Sequence, residues 1–423
     1  MRILYSLLLY LLTPLVIARL YWRGRANPDY HRRIAERFAH YPRLPNVPRI
    51  WVHAVSVGEV IASTPLIRRL QSEFPGHRIL VTTTTPTGSA QVRRLFHDSV
   101  DHCYLPYDLP HVVRRFLRKT RPLIAVIMET ELWPNLFAAC ARRDIPLMIA
   151  NARLSERSAR GYARFASLTR RTLWHISHIA AQGKQDAQRF LELGAPGERV
   201  QQTGNIKFDI SVPEEQVAQG QALREGLGSR PVWIAASTHA GEDDILLDAH
   251  HRVLEKLPDA FLILVPRHPE RFDEVAALCR EQGLRSMRRS TGAACAPDTQ
   301  VLVGDTLGEL LALYAAADAA FVGGSLIPIG GHNPLEPAAL GLPVLTGPHI
   351  FNFNEVYARL FQAGAAVHAD DTVAIAAWLE DLLTDDDKRR HIGESGRQVV
   401  ESNRGVTERL LGIIRELLEG PPG

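Results

Sequence analysis

Strand-length runs of apolar, β-branched residues alternate with longer amphipathic stretches along most of the chain. In the first half such runs lie at Ile50–Val55, Arg78–Thr83, Leu123–Met128, Pro146–Ala150 and His178–Ala181. After a polar, glutamine-rich stretch the pattern restarts, with runs at Val232–Ala236, Phe261–Val265, Thr299–Val303, Ala319–Val322 and Pro343–Leu345. This alternation is typical of parallel sheets with crossover helices. We therefore predict an α/β chain of two doubly wound, Rossmann-like domains that face each other across an interdomain cleft.

The first segment departs from this pattern. Residues 3–18 are apolar except for Tyr, Ser and Thr hydroxyls, with Arg2 before them and Arg19, Arg23 and Arg25 after them. No small-residue cleavage site follows, so we predict a retained membrane-anchoring helix at residues 1–22, not a secretory signal. The run is marginal beside the ~20 residues that an upright span needs, which leaves a full span and an interfacial helix open. The flanking arginines predict that the other domains lie on the cytoplasmic side.

Charge is divided unevenly along the 423 residues. Residues 1–210 carry 31 Lys and Arg against 15 Asp and Glu, whereas residues 211–423 carry 18 against 31. A basic half behind a membrane helix predicts contact with an anionic membrane surface or a phosphorylated lipid, and a solvated basic surface is the alternative. We expect no nucleic-acid partner, because no nucleic-acid-binding motif accompanies the charge. The four cysteines lack CxxC spacing and predict neither a zinc site nor disulfides.

Residues that directly follow strands are the first candidates for chemistry, because ligands of open α/β sheets bind beyond the carboxyl ends of strands. Ser56, Gly58 and Glu59 follow the first strand. The spacing Ser56-x-x-Glu59 fits a capping box, and equally a carboxylate that faces a cleft. Gly58 favours the second interpretation slightly, since it removes bulk where a substrate would approach.

A second acidic group follows the strand at Leu123–Met128. Glu129 and Glu131 lie beside Trp133, and paired carboxylates can hold a hydroxyl group for deprotonation. The structural alternative is that one glutamate caps the next helix while Trp133 packs in the core. The same domain offers Arg153 and Arg157 as cationic candidates on the acceptor side. It also offers Lys207, which is expected on the donor side, where it would reach an anion held between the domains.

The second domain offers groups suited to an anion. Arg267 and His268 follow its second strand and bring a guanidinium that suits phosphate or carboxylate. Backbone amides of a glycine-containing loop at a helix start form an anion site, and the loop after the first strand has this character. Its candidate residues are Ser237, Thr238, His239, Gly241 and Glu242.

The sharpest signal is a glycine-dense approach to a short helix. Asn333 fits the N-cap, Pro334 the first helical position and Glu336 the third, and Glu336 is placed to bond ribose hydroxyls. The glycines predict close approach of the backbone to a nucleotide at the positive end of a helix. The glycine candidates are Gly324, Gly330 and Gly331. Neither GxGxxG nor GxxxxGK[ST] is present, which argues against dinucleotide oxidoreductases and P-loop enzymes.

Eight motifs in order resemble the bacterial 3-deoxy-D-manno-octulosonic acid (Kdo) transferases over nearly the whole chain. They are WVHAVSVGE, METELWPN, NARLSERS, TGNIKFD, STHAGED, PRHPER, GDTLGEL and GGSLIPIGGHNPLEP. The resemblance implies a GT-B fold and a lipopolysaccharide-synthesis enzyme on the cytoplasmic face of the bacterial inner membrane. It also implies CMP-Kdo as donor, a tetra-acylated lipid A precursor as acceptor, and inversion at the anomeric carbon. We expect an anchor at 1–22, an acceptor-binding domain at 23–212 and a CMP-sugar-binding domain at 213–423, with the last helix packed on either domain.

By the same resemblance, Glu59 corresponds to the general base, Glu129 and Glu131 to acceptor-side acidic positions, and Arg267 and Glu336 to donor contacts. We expect Glu59 to be ionised near its normal pKa and to deprotonate the glucosamine 6′-hydroxyl. No cofactor or metal is expected, and the aspartate run at 385–387 fits a solvated helix start. Two alternatives stay open: another GT-B nucleotide-sugar enzyme, such as a different lipid-linked glycosyltransferase or an epimerase, and a non-catalytic nucleotide-binding membrane protein.

Overall fold

The structure, a computed structural model, describes residues 1–41, 45 and 47–420. The chain forms two compact units. The first comprises Met1–Asp209 together with the chain from Gly405, and the second comprises Ile210–Arg404. The division at 209/210 lies slightly before the expected boundary at 212/213, and the final helix belongs to the first unit.

The first unit alternates strands and helices as the apolar runs predict. Its elements are α1 (Arg2–Ala26), β1 (Arg49–His53), α2 (Val57–Glu73), β2 (Arg78–Thr83), α3 (Pro86–Phe96), β3 (Asp101–Tyr104), α4 (Pro110–Thr120), β4 (Pro122–Met128), α5 (Pro134–Ala141), β5 (Leu147–Ala152), α6 (Glu156–Ala163), α7 (Ala166–Leu173), β6 (His178–Ala181), α8 (Lys184–Glu192) and β7 (Val200–Gln202).

The seven strands of this unit form a parallel sheet in the order β3-β2-β1-β4-β5-β6-β7. Both faces are buried, so the central strands are apolar at nearly every position rather than at alternate ones. Trp51 and Ile127 point into one core cluster, whereas Ile50 and Val126 point into the other. Helices α4, α5 and α7 cover the first face, and α2 and α3 cover the opposite one.

The second unit repeats the alternation with shorter strands. Its elements are α9 (Glu214–Leu227), β8 (Val232–Thr238), α10 (Asp243–Lys256), β9 (Phe261–Pro266), α11 (Phe272–Glu281), β10 (Ser286–Arg288), β11 (Val301–Val303), α12 (Leu310–Ala315), β12 (Ala319–Val322), α13 (Leu335–Ala339), β13 (Val344–Thr346), α14 (Asn354–Gln362), β14 (Ala366–His368), α15 (Thr372–Thr384) and α16 (Asp386–Asn403). The strands form a parallel sheet in the order β10-β11-β9-β8-β12-β13-β14. Asp385 caps α16, so the aspartate run lies at a helix start as expected.

The last helix, α17 (Val406–Glu419), completes the first unit. Asp209 accepts the backbone N–H groups of Gly405 at 2.7 Å and Val406 at 3.2 Å, and that of Thr407 as well. These bonds satisfy donors that a helix start otherwise leaves unpaired. Leu410 and Ile414 pack in the same core cluster as α2.

The first helix is the longest element, with 25 residues. Of the described residues, those at Arg2–Arg25 alone form a helix long and apolar enough to cross a membrane by length and composition, with a mean hydropathy of 2.0. Its apolar side chains are largely exposed rather than buried in a core.

Candidate active site

Both sheets reverse their strand order at one point, and open α/β sheets bind ligands at such switch points. In the first sheet the reversal lies between β1 and β4, and in the second between β8 and β12. Directly beyond the ends of these four strands lie Glu59, in the first turn of α2, and Glu129, Glu242 and Gly324. Each unit therefore has part of its candidate set at its switch point.

Glu59 lies in the first turn of α2, directly beyond β1. Its Oε2 accepts the backbone N–H of Val55 at 2.8 Å, and its Oε1 accepts the Ser56 hydroxyl at 3.0 Å. Ser56 is the N-cap residue, but its side chain makes no capping bond, and Glu59 accepts the N–H of Val55 rather than that of Ser56, so the capping box does not form. Burial raises the pKa of Glu59 to about 7, with a further upward contribution from Glu129. The expectation of a normal pKa is therefore wrong, because the sequence does not show how far this carboxyl group is withdrawn from water.

Gly58 precedes this carboxylate and is exposed. A Cβ atom built there would meet only the Ser56 hydroxyl, at 3.9 Å. The protein itself therefore does not require a glycine here for packing. The position leaves open space beside Glu59.

Glu129 and Glu131 follow β4, the strand that pairs with β1. Glu129 has a φ of +57°, a left-handed conformation that is uncommon outside glycine and that often marks functional sites. Glu131 accepts two hydrogen bonds, from the Trp133 indole at 3.0 Å and from His53 Nε2 at 3.2 Å. Trp133 also packs against the core, so both interpretations of this aromatic residue hold in part.

Sequence reasoning did not assign a part to His53. It is fully buried at the end of β1, and its Nδ1 lies 2.8 Å from the Thr82 hydroxyl. Its Nε2, the nitrogen that lies near Glu131, therefore orients the Glu131 carboxylate. Its position on the same face as Trp51 indicates burial, but nothing in the sequence pairs it with Glu131.

The cationic candidates of the first unit lie further out. Arg153 and Arg157 are exposed, at the end of β5 and on α6. The Thr130 hydroxyl donates to the carbonyl oxygen of Arg153 and so joins this loop to the acidic loop. Lys207 lies in a short 3-10 helix, Ile206–Phe208, of the first unit.

In the second unit, Glu242 is fully buried and its carboxylate is engaged by backbone amides. It accepts N–H groups of His239 at 2.9 Å, Gly324 at 2.7 Å, Ser325 at 2.9 Å and Leu326 at 3.0 Å. Amides of the loop after β8 were expected to hold a ligand anion, but the N–H of His239 in that loop already bonds to this internal carboxylate. Glu242 therefore supports the site by joining the loops after β8 and β12, and a ligand cannot reach it.

Near the switch point of the second sheet, three histidines and Arg267 remain at least partly exposed. The histidines are His239, His268 and His332. The rings of His239 and His332 stack 5.1 Å apart, their Nε2 atoms are 2.8 Å apart, and His268 meets His239 edge-on. Burial and then Arg267 lower the pKa of His332 to about 4, and burial with His268 and Arg267 lowers that of His239. Both rings are therefore neutral at pH 7, and Arg267 supplies the positive charge.

Other donor-side candidates divide into inner and outer groups. Thr238 is buried and its hydroxyl donates to Asp243 at 2.5 Å, whereas Gly241 is exposed. Ser237 takes a left-handed conformation with a φ of +58°. Thr238 therefore joins Glu242 among the supports of the site.

The short helix after the glycines begins one residue later than predicted. Helix α13 starts at Leu335, Pro334 is its N-cap residue, and Asn333 Oδ1 accepts the Leu335 N–H at 3.1 Å. Asn333 also donates to Glu336 at 3.3 Å, and burial raises the pKa of Glu336.

Two glycines on the approach to this helix are also required by packing. A Cβ atom on Gly330 would lie 2.5 Å from Asn352 and Phe351 side-chain atoms, and one on Gly323 would lie 2.6 Å from the Ser237 carbonyl oxygen. Contact with the protein itself therefore requires glycine at these two positions.

Comparisons with known proteins assign the chain to a family. Residues 32–210 match the family described as 3-deoxy-D-manno-octulosonic-acid transferase (kdotransferase), and residues 237–399 match glycosyl transferases group 1. The chain is 44% identical over 423 residues to the 3-deoxy-D-manno-octulosonic acid transferase of Haemophilus influenzae, with 99% of each chain covered. The chain belongs to the Kdo transferase family. It is 38% identical over 430 residues to the same-named enzyme of Bordetella pertussis, covering 98% of this chain and 99% of that one.

As a Kdo transferase, the chain is a glycosyltransferase of lipopolysaccharide biosynthesis, as the eight motifs predicted. Solved structures confirm the GT-B fold. The UDP-GlcNAc 2-epimerase of Neisseria meningitidis matches with a TM-score of 0.58 at 15% identity, over 87% of this chain and 100% of that one. A glycosyltransferase of Rickettsia africae matches with a TM-score of 0.56 at 15% identity, over 89% and 100%. At this identity the likeness concerns the fold alone.

Proposed function

We propose that this Kdo transferase moves Kdo from CMP-Kdo to the 6′-hydroxyl of the tetra-acylated lipid A precursor, with Glu59 as general base. The observation that carries the proposal is the environment of Glu59. It lies at the switch point of the first unit, beside open space at Gly58, and burial raises its pKa to about 7. A base whose pKa matches the working pH combines a sizeable ionised fraction with strong proton affinity.

In the proposed step, the acceptor hydroxyl oxygen attacks the anomeric carbon of Kdo while its proton passes to the Glu59 carboxylate. The bond from that carbon to the phosphate oxygen breaks, CMP leaves with the electron pair, and the anomeric configuration inverts. Glu129 and Glu131 line the acceptor side, with Arg153 and Arg157 nearby. The orientation of Glu131 by His53 supports this assignment.

We assign CMP-Kdo to the second unit. Arg267 provides the positive charge that would stabilise the leaving phosphate, and the neutral His239 and His332 offer ring nitrogens as hydrogen-bond partners. Glu336, beside Asn333, is our candidate for the ribose hydroxyls. The reaction needs no metal or further cofactor in this proposal, and it takes place on the cytoplasmic face of the inner membrane, against an anionic membrane surface.

The test is mass spectrometry of purified protein incubated with the tetra-acylated lipid A precursor and a CMP-Kdo source, with and without EDTA. We expect each transfer to add one Kdo mass in both conditions, and the spectrum also counts the transfers. Parallel incubations with UDP-sugars test the other GT-B activities. Product from a UDP-sugar and none from CMP-Kdo, while a control enzyme is active, would overturn the proposal.

A further inference from the structure

Helix α1 is bound along the surface of the first unit by its polar side chains. The Tyr5 hydroxyl donates to Asp108 Oδ2 at 3.0 Å, and the Ser6 hydroxyl donates to Asn135 Oδ1 at 3.1 Å. One turn later the Tyr10 hydroxyl lies 2.6 Å from His111 Nδ1. Together these residues form a polar seam that faces the protein.

Contacts continue along the helix. Leu9 packs against the first core cluster, and further along the helix Ile17 and Ala18 line a cavity together with Phe38 and Leu109 of the unit. The helix is about 37 Å long at 1.5 Å per residue. A helix directed away from the unit across a bilayer would keep contact at one end, whereas α1 keeps it along its length.

The opposite face of α1 is an exposed leucine stripe. Leu4, Leu8, Leu11 and Leu15 recur at helical spacing and are 64%, 51%, 75% and 66% exposed. Aromatic residues that favour the interface between lipid and water are also exposed close by. They are Tyr21, Trp22 and Trp174.

Arginines surround the N-terminal half of the helix. Arg114 and Arg142 line a cavity of about 390 Å³ together with Arg2. Arg170 and Arg171 line a neighbouring cavity of about 630 Å³, again with Arg2. Within the described part of the chain, none of these five arginines forms an ion pair.

Like charges lie close together in this cluster. Burial lowers the pKa of Arg142, and Arg2, Arg143 and Arg114 lower it further because like charges lie close together. Asp108 is the acidic group near Arg2, but its oxygens already accept bonds from Tyr5 and from backbone amides of α5. Clustered guanidinium groups without carboxylate partners suit phosphate.

We propose that α1 lies in the plane of the membrane rather than across it, with the leucine stripe among acyl chains and the flanking arginines on phosphates of anionic phospholipids. The inference rests on the membrane association proposed above and assigns its geometry and lipid class. We choose bulk phospholipid over the acceptor's own phosphates because neither cavity shares a lining residue with the surroundings of Glu59.

The first test measures the depth of α1. Single cysteines replace Leu4, Leu8, Leu11 and Leu15 in a Cys295→Ser background, because the other three native cysteines are buried. Each carries a fluorophore, which lipids spin-labelled at known depths quench in vesicles of phosphatidylcholine and phosphatidylglycerol. We expect equal depths at all four positions. Deeper labels at Leu8 and Leu11 than at Leu4 and Leu15, which are about 16 Å apart along the axis, would overturn the in-plane geometry.

The second test removes charge from the arginine cluster. We expect Arg114→Gln/Arg142→Gln/Arg171→Gln to weaken binding to acceptor-free phosphatidylglycerol vesicles about fivefold per charge, or roughly 100-fold, at low salt. The matched control is Arg68→Gln/Arg93→Gln/Arg94→Gln, whose arginines are exposed on α2 and α3 at the opposite face of the sheet. Equal losses in both triple variants, or no loss in either, would contradict the lipid assignment.

Transfer in detergent micelles separates this inference from the proposed function. The cluster variant should keep wild-type transfer there, and a loss would assign these arginines to the acceptor instead. If wild-type protein binds vesicles as expected but transfers no Kdo, the proposed function fails while the membrane geometry stands.

Discussion

Glu59 and Glu242 occupy related places in the two units, since each follows a strand at the switch point of its sheet. Glu59 accepts one backbone N–H and one hydroxyl group, and its pKa rises to about 7. Glu242 is fully buried and accepts four backbone N–H groups. The Glu59 carboxylate is thus suited to accept a proton. The Glu242 carboxylate instead joins two loops.

The comparison shows that burial alone does not determine what a carboxylate does. Hydrogen bonds to the charged form offset the cost of burial, and their number differs between the two sites. A glutamate with few donors beside open space suits proton transfer. A glutamate that accepts several backbone N–H groups suits a structural role in the site.

The largest effect should follow loss of the Glu242 carboxylate. Glu242→Ala leaves four buried N–H groups without their acceptor, and we expect a loss of roughly 3–5 kcal/mol in the free energy of unfolding. Urea denaturation measures it. Unchanged stability in the variant would contradict the supporting part assigned to Glu242.

The pH dependence of transfer tests the raised pKa of Glu59. Because the base must be ionised, kcat/KM should rise with pH to a plateau above about 7, with roughly a tenfold fall per pH unit well below it. Stability should move the other way: the folded state disfavours the charged carboxylate, so ionisation of Glu59 destabilises the fold as pH rises from about 4.5 to about 7. A rate that is flat between pH 5 and pH 8 would refute this.

Filling the space at Gly58 should affect the reaction more than the fold. A Cβ atom at Gly58 meets no close neighbour and the position is exposed, so for Gly58→Leu we expect stability within about 1 kcal/mol of wild type. Its side chain would fill the open space at the start of α2 and lower kcat/KM for the acceptor by about tenfold, on the order expected for a misplaced reactant. Gly226→Leu, also in a helix and free of close neighbours, is the control. Equal kinetics in both variants would mean that the acceptor does not pass Gly58.

The smallest effect concerns the interaction between the two acidic loops. Glu129 raises the pKa of Glu59 by charge repulsion, so Glu129→Gln should shift the apparent pKa of the kcat/KM profile downward. Glu131→Gln is the comparison, because Glu131 bonds to His53 and Trp133. An upward shift of this apparent pKa in Glu129→Gln would argue against charge repulsion between Glu129 and Glu59.

The fold was predictable where strands are buried on both faces. All ten predicted runs correspond to strands, whereas β3, β7, β10 and β14 were missed. These four are the edge strands of the two sheets, with three or four residues each. An edge strand such as Val200–Gln202 is exposed on one side, so its sequence carries little apolar signal.

The site was predictable as a set of residues but not as a set of roles. The motifs identified Glu59 and Glu242 alike, because both follow strands. Their difference depends on amides that lie far away in sequence, at Gly324–Leu326, and on the depth of each side chain. The pairing of His53 with Glu131 likewise arises from strand order rather than from any local pattern.

The most direct test of the central claim is the transfer rate of Glu59→Gln at saturating CMP-Kdo and pH 8. Glutamine keeps an acceptor for Val55 N–H and a partner for Ser56, so the fold should remain intact. We expect kcat to fall by at least about 100-fold, as loss of a general base predicts, with thermal stability equal to or above that of wild type. A variant that transfers Kdo within a few-fold of the wild-type rate would contradict the assignment of Glu59 as the base.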